Sequence, residues 1–150
     1  MIALLLALHC GSELWSQKVL TDKGAARALA PAPIAGTIEQ LGSLPLTARR
    51  RAYTIVGRIT VIKHEADEDF HVALSDDAGH TMIVEFAHPG CAVGSLALAA
   101  ITRARKQAAA LHVGDHVQAV GMLFFDRLHG QTGVAPNGAE IHPVFIVKKL

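Results

Sequence analysis

From Tyr53 onward the apolar positions recur at every second residue. Tyr53, Ile55, Gly57, Ile59 and Val61 alternate with Thr54, Val56, Arg58, Thr60 and Ile62, and the first set is the more apolar. That period predicts a long strand with one face toward a core. Gly57 at its middle predicts a bulge or sharp bend. Lys63 to Glu68 is a charged turn. A second strand is expected from Asp69 to Ser75, with Phe70, Val72 and Leu74 on one face and His71, Ala73 and Ser75 on the other. Asp76-Asp77-Ala78-Gly79 reads as a hairpin loop, with Gly79 free to take positive φ. A third strand is expected from His80 to Ala87, with Met82, Val84 and Phe86 opposite Ile83 and Glu85. His88-Pro89-Gly90 ends it.

The period then lengthens. Leu96, Ala100, Ile101, Ala104, Ala108 and Leu111 recur at helical spacing, and Ser95 offers an N-cap. Val113-Gly114-Asp115 turns into a fourth strand, His116 to Phe125, and a last strand spans about Ala139 to Val147. Three strands, a helix and two more strands predict a mainly β fold. The expected form is a five-stranded OB-like barrel with one helix between strands 3 and 4.

Upstream the pattern is weaker. Met1 to Leu8 read MIALLLAL, too short to span a bilayer. Residues 1–9 are therefore read as the remnant of a signal segment. Residues 10–50 are read as a weakly ordered N-terminal extension and linker, and 51–150 as the barrel. Within the extension, Ala30-Pro31-Ala32-Pro33 is expected to be extended, and Thr37 to cap a helical turn through Ile38 and Leu41. Arg49-Arg50-Arg51 is expected to be a solvated lead into the first strand.

The chain has 150 residues, 51% of them hydrophobic, enough for one domain with a real core. Its formal net charge is +1, which lacks the basic excess of a nucleic-acid binder. Aromatics are scarce. Phe70, Phe86 and Phe125 are expected in the core, which leaves Tyr53 and Phe124 as stacking platforms. The cysteines, Cys10 and Cys91, read equally as two buried thiols or as one bridge.

Acids and histidines bunch in three segments: Asp67 to His71, Asp126 to Gly133, and Asn137 to Pro143. On the expected topology the first lies in the loop between strands 1 and 2. The other two lie between strands 4 and 5. Those loops flank the ligand groove of an OB barrel. The ligand-binding candidates are Asp69, His71, Asp126, His129, Gln131, Asn137, Glu140 and His142. A metal site would draw on Asp69 and His71, which share a strand face, with His129 and His142; zinc or manganese suits such nitrogen and oxygen ligands. Acid–base catalysis would use His129 oriented by Asp126, with Glu85 on the neighbouring strand. Against these stand structural roles: turn capping by the aspartates, hydrogen bonding within the loop, and a solvent-facing His71.

The segments HGQTGVAPNGAEIHPV and DEDFHVALSDDAGHTMIVEF closely resemble a family of small bacterial proteins of unassigned function, typically exported. CGSELW with Lys18 and Thr21-Asp22 looks like that family's N-terminal pattern, although Leu14 stands where a basic residue is expected. Cys91 in His88-Pro89-Gly90-Cys91 corresponds to its second cysteine. The resemblance implies export and a Cys10–Cys91 bridge, and it supplies no reaction and no cofactor. The first reading is thus an exported OB-like binding module for a small molecule or polymer, without a transmembrane span. The second is a metal-dependent hydrolase of phosphodiesterase or nuclease type. The third is single-stranded nucleic-acid binding.

Overall fold

The computed structural model describes residues 9–11 and 14–150. Met1 to Leu8, read as a signal remnant, lie outside the described residues, as do Ser12 and Glu13 of the CGSELW motif. The elements in order are α1 (Trp15–Lys18), α2 (Ala25–Leu29), β1 (Ile34–Ala35), α3 (Ile38–Gly42), β2 (Ala52–His64), β3 (Phe70–Ser75), β4 (Thr81–Phe86), α4 (Leu98–Ala108), β5 (His116–Phe125) and β6 (Ala139–Lys149). A 3-10 turn at Pro89–Cys91 precedes α4.

Strands β2, β3, β4, β6 and β5 pair in that order, and β5 returns to β2. The result is a closed five-stranded barrel, as the strand order predicts. All pairings in the ring are antiparallel except β4 with β6, which run parallel. The short β1 adds to β2 from outside. Closure leaves the barrel without free edges.

Alternation decides what fills it. Ile55, Ile59, Val72, Leu74, Met82, Val84, Phe86, Leu123 and Ile141 point inward and form one core, joined by Ala104 and Ala108 of α4. Residues between them on β3 and β4, notably His71 and Glu85, therefore face outward. Yet they too are buried, at 3% and 9% exposure. Something covers the outer face.

The cover is the segment expected to be weakly ordered. Residues 14–50 fold back over the barrel in short helices. Val19 and Leu20 are fully buried in a second apolar cluster with Ala87, Ala92, Ile101 and Met122. Their short apolar stretch has no period because only a few side chains make the contact. Cys10 and Cys91 are disulfide-bonded, with Cα atoms 5.6 Å apart. The Trp15 indole donates to the Cys91 carbonyl at 3.1 Å. Arg50 and Arg51 are clamps rather than solvated charges: Arg50 pairs with Asp22 at 2.9 Å and donates to the Gln17 carbonyl at 2.7 Å, and Arg51 donates to the Ala32 carbonyl at 3.0 Å. Arg49 alone of the three is exposed.

Thr37 caps α3 as expected, in a reciprocal capping box with Gln40. Two local expectations shift. The register break in β2 falls between Ile59 and Val61, not at Gly57. Gly57 serves close packing instead, since a Cβ there would sit 3.0 Å from both Ile38 Cδ1 and Leu74 Cβ. Ser95 is not the N-cap of α4; Ala97 holds that position, and Ser95 Oγ accepts from the Ala97 amide at 3.1 Å. Leu96, counted in the apolar face, is 67% exposed. Among the described residues no helix is long and apolar enough to cross a membrane.

Candidate functional site

Strand pairing assembles a polar cluster on the outer face. His71 on β3 lies directly opposite Glu85 on β4. The parallel register of β4 and β6 pairs Ile83 with Glu140 and Val84 with Ile141, which brings His142 beside Glu85. Glu140 and His142 are two apart on β6 and share a face. Asp69 sits just before β3, in phase with His71.

The contacts are short. Glu85 Oε1 lies 3.1 Å from His71 Nδ1. His142 Nδ1 lies 2.9 Å from Glu140 Oε1, and its Nε2 lies 3.1 Å from Asp69 Oδ2. Glu85 Oε2 is 3.7 Å from His142 Nδ1. All five side chains are buried, Asp69 and His142 completely. His71 is therefore not the solvent-facing residue of the structural alternative. Phe124, considered as a stacking platform, is buried and meets His142 edge-on at 5.9 Å between ring centres. Tyr53 is only part-buried and packs against the barrel core.

Hydrogen-bond chemistry constrains the protons. His71 Nε2 lies 2.8 Å from the Thr132 carbonyl, which only accepts, so that nitrogen carries a hydrogen. A second proton is then shared across the His71 Nδ1 to Glu85 contact. The Glu85 hydrogen bond raises the His71 pKa above its ordinary value against the opposing effect of burial. Burial pushes Glu85 up as well. For His142, burial works against the charged ring. The Asp69 and Glu140 carboxylates at its two nitrogens, and the charge of Glu85, outweigh burial and lift its pKa to about 10.

In metal-free protein this has a testable sign. An unfolded histidine titrates near 6.5, below the folded His142. Its stabilising contribution is thus complete below about pH 6.5 and is lost as pH rises through about 10. Melting in chelator-containing buffer should show the gap between the wild type and His142→Gln closing over that window. A gap that stays constant or widens would contradict the assignment.

Above the cluster lies an open cavity of about 380 Å³. His71 and Glu85 form its floor. Glu65 and Asp67 come from the β2–β3 loop, and Asp126, His129, Gly130 and Gln131 from the β5–β6 loop. Lys18 closes one side from α1. Its ammonium is 3.6 Å from Asp126 Oδ2 and 5.5 Å from the Phe124 ring centre. Burial opposes its charge, yet Glu140, Asp126, Glu85 and Asp67 together raise its pKa. Lys18, Glu65 and Asp67 were not among the sequence candidates. Lys18 follows the CGSELW motif, and that pairing was the available signal.

The other candidates divide by role. His129 is largely exposed at the rim, with Nε2 3.6 Å from Asp126 Oδ2. Gln131 organises the rim, accepting from the His129 amide and donating to the Arg127 carbonyl, both at 2.8 Å. Asn137 lies away from the cavity. It donates to the carbonyls of Leu41 and Leu44 at 2.9 Å and fastens the loop to α3. Of the four metal candidates, Asp69 and His142 come together, with Glu85 as the third member of a compact ligand set. His71 and His129 stand outside it.

The β5–β6 loop also lies across β3. Thr132 meets His71, the Thr81 hydroxyl donates to the Val134 carbonyl at 3.4 Å, and Gly133, at φ +80°, packs so close that a Cβ would clash with Ala73. That loop roofs the outer sheet face on which OB folds run oligonucleotides.

No family model matches the chain, and no curated protein is significantly similar to it. Solved structures do resemble it. The OBody AM3L09, solved bound to hen egg-white lysozyme, aligns at 17% identity over 67% of this chain and 81% of its own, with a TM-score of 0.50. A chain of the S. pombe Stn1–Ten1 complex aligns at 17% identity over 66% of this chain, with a TM-score of 0.47. This chain spans only 57% of that one. A small single-stranded DNA-binding protein from Streptomyces coelicolor aligns at 19% identity over 69% of this chain and 96% of its own, with a TM-score of 0.40. At 17% identity the likeness to the OBody concerns the fold alone, and the closed five-stranded barrel with its helix between the third and fourth barrel strands is that of an OB fold.

Proposed function

We propose that the protein is an exported binding module of OB type that takes a small polar ligand in the cavity between the β2–β3 and β5–β6 loops. One observation carries the reading. The cavity is open to solvent, and its floor is a pair of buried ionisable groups, His71 and Glu85. A size of about 380 Å³ suits a small molecule. Lys18 and His129 offer donors, while Glu65, Asp67 and Asp126 offer acceptors. This mixed lining fits a ligand carrying both donor and acceptor groups. The disulfide supports an oxidising compartment, and with it membership of the exported family that the motifs resemble.

Single-stranded nucleic acid is the second reading. The fold favours it, because OB barrels widely bind oligonucleotides at these two loops, and a nucleic-acid partner remains compatible with the open cavity. The roofed sheet face and the buried Phe124 favour the small ligand. The metal-dependent hydrolase reading needs the Asp/His cluster to converge, and of its metal candidates Asp69 and His142 meet while His71 and His129 do not join them, which gives binding the stronger geometric support.

Amide spectra of the labelled protein separate these readings. Titration with a panel of amino acids, sugars and nucleotides should move signals of His71, Glu85, His129 and Gln131 for at least one compound. Asp126→Ala should weaken that response at least tenfold. Saturable shifts with a thymidine oligomer that spread along β3 and β4, and none with the panel, would overturn the small-ligand reading in favour of nucleic acid.

A further inference from the structure

Beneath the cavity floor, Asp69, Glu85 and His142 each offer a ligand atom, and these atoms lie within 4.8 Å of one another. We infer that this triad is a binding site for one divalent transition-metal ion of the zinc class. The inference goes beyond the small-ligand reading and does not depend on it.

An acidic cluster alone would not justify a site. The independent observation is a pair of unsatisfied atoms. Asp69 Oδ2 and His142 Nε2 are buried, and neither has a hydrogen-bond partner of acceptable geometry. They nevertheless lie 3.1 Å apart. Two buried polar atoms that approach closely without aligning as donor and acceptor are unusual, because an unmade buried hydrogen bond is costly. Two ligands of one ion adopt that pose naturally. With bonds of about 2.0–2.2 Å, neighbouring ligand atoms sit roughly 3–3.5 Å apart and point at the metal rather than at each other.

The surroundings fit the same reading. Glu140 meets His142 Nδ1 at 2.9 Å. With an ion bound it would hold the neutral ring in its Nδ1–H tautomer, turning the Nε2 lone pair toward the Asp69 side. A carboxylate behind a ligating histidine is the usual supporting arrangement at metal sites. His71 likewise orients Glu85, engaging Oε1, while Oε2 lies 3.7 Å from His142 Nδ1. One nitrogen and two carboxylate oxygens match zinc or manganese. Three protein ligands leave a coordination position open. Glu85 belongs both to the triad and to the cavity floor, so the ion and the cavity would share a wall.

The test uses the full chain with its disulfide intact. Chelator-stripped protein is dialysed against zinc or manganese chloride, and bound metal is measured by atomic emission. The expected result is about one ion per chain and a melting temperature raised by about 5–10 °C in excess metal. Asp69→Asn and Glu85→Gln should abolish stoichiometric binding, and Glu140→Gln should weaken it by about 10–100-fold. His129→Ala at the rim should leave it intact. Absence of stoichiometric metal with unchanged melting overturns the proposal. So does equal loss in His129→Ala, which would put the ion in the outer cavity. If the triad variants do not fold, X-ray absorption of the zinc-loaded wild type decides. One imidazole in the shell supports the triad, and two or more overturn it. Metal binding without any small-ligand response would leave this site standing alone, and the reverse result would remove it while sparing the cavity.

Discussion

His142→Ala is expected to cost about 3–5 kcal/mol of folding stability, the range for breaking a buried ion pair from one side. The residue is completely buried between Asp69 and Glu140, with Glu85 close by. Alanine removes the group that all three carboxylates face. It leaves them in a water-poor space with His71, Lys18 and Arg105 as the nearby cations among the described residues. The cost is set by those uncompensated charges more than by the lost volume. Urea denaturation followed by circular dichroism measures it. His129→Ala serves as the control, because a largely exposed side chain should change stability by no more than about 0.5 kcal/mol. A His142→Ala loss equally small would mean that the cluster carries no coupled charge, and the proton assignment above would fall.

The second large effect concerns the strap. Cys10 and Cys91 close a loop of 81 residues in sequence separation. Cys91→Ser, or reduction, should cost about 4–5 kcal/mol, by the loop-entropy reasoning for long cross-linked segments. The consequence is also local. The bridge, the Trp15 indole and Arg50 hold the segment that carries Lys18 over the cavity. Reduced protein should therefore lose affinity for the cavity ligand before the barrel itself unfolds. Thiol titration of denatured, unreduced protein should find neither cysteine free. Two reactive thiols, or an unchanged denaturation midpoint on reduction, would refute the role.

Much of the barrel was legible because its signals are local. Alternation marked β2, β3 and β4 within a residue or two, the aspartates and Gly79 marked the hairpin, and helical spacing marked α4. The extension was illegible for the complementary reason. Val19 and Leu20 are buried by contact with Ile101 and Met122, far away in sequence, so no period announces them. The arginine run looked solvated because its partners, Asp22 and two backbone carbonyls, cannot be identified from spacing.

The candidate site divides along the same line. The polar segments and the two flanking loops could be named from sequence, since strand order alone puts those loops at one groove. Which residues meet was decided by tertiary structure. His142 reaches Glu85 only through the parallel pairing of β4 with β6, a contact between strands separated by a helix and another strand. Glu85, a candidate for acid–base chemistry, belongs both to the cluster and to the cavity lining, while His129 stays at the rim. Period and turn chemistry act over a few residues, and they suffice to specify a β barrel with its ionisable residues gathered in the loops at one groove. The burial of those residues, their proton sharing and the convergence of Asp69, Glu85 and His142 belong to the tertiary structure. They depend on strand register and on the strap and loop that exclude water, and neither is written in any local pattern.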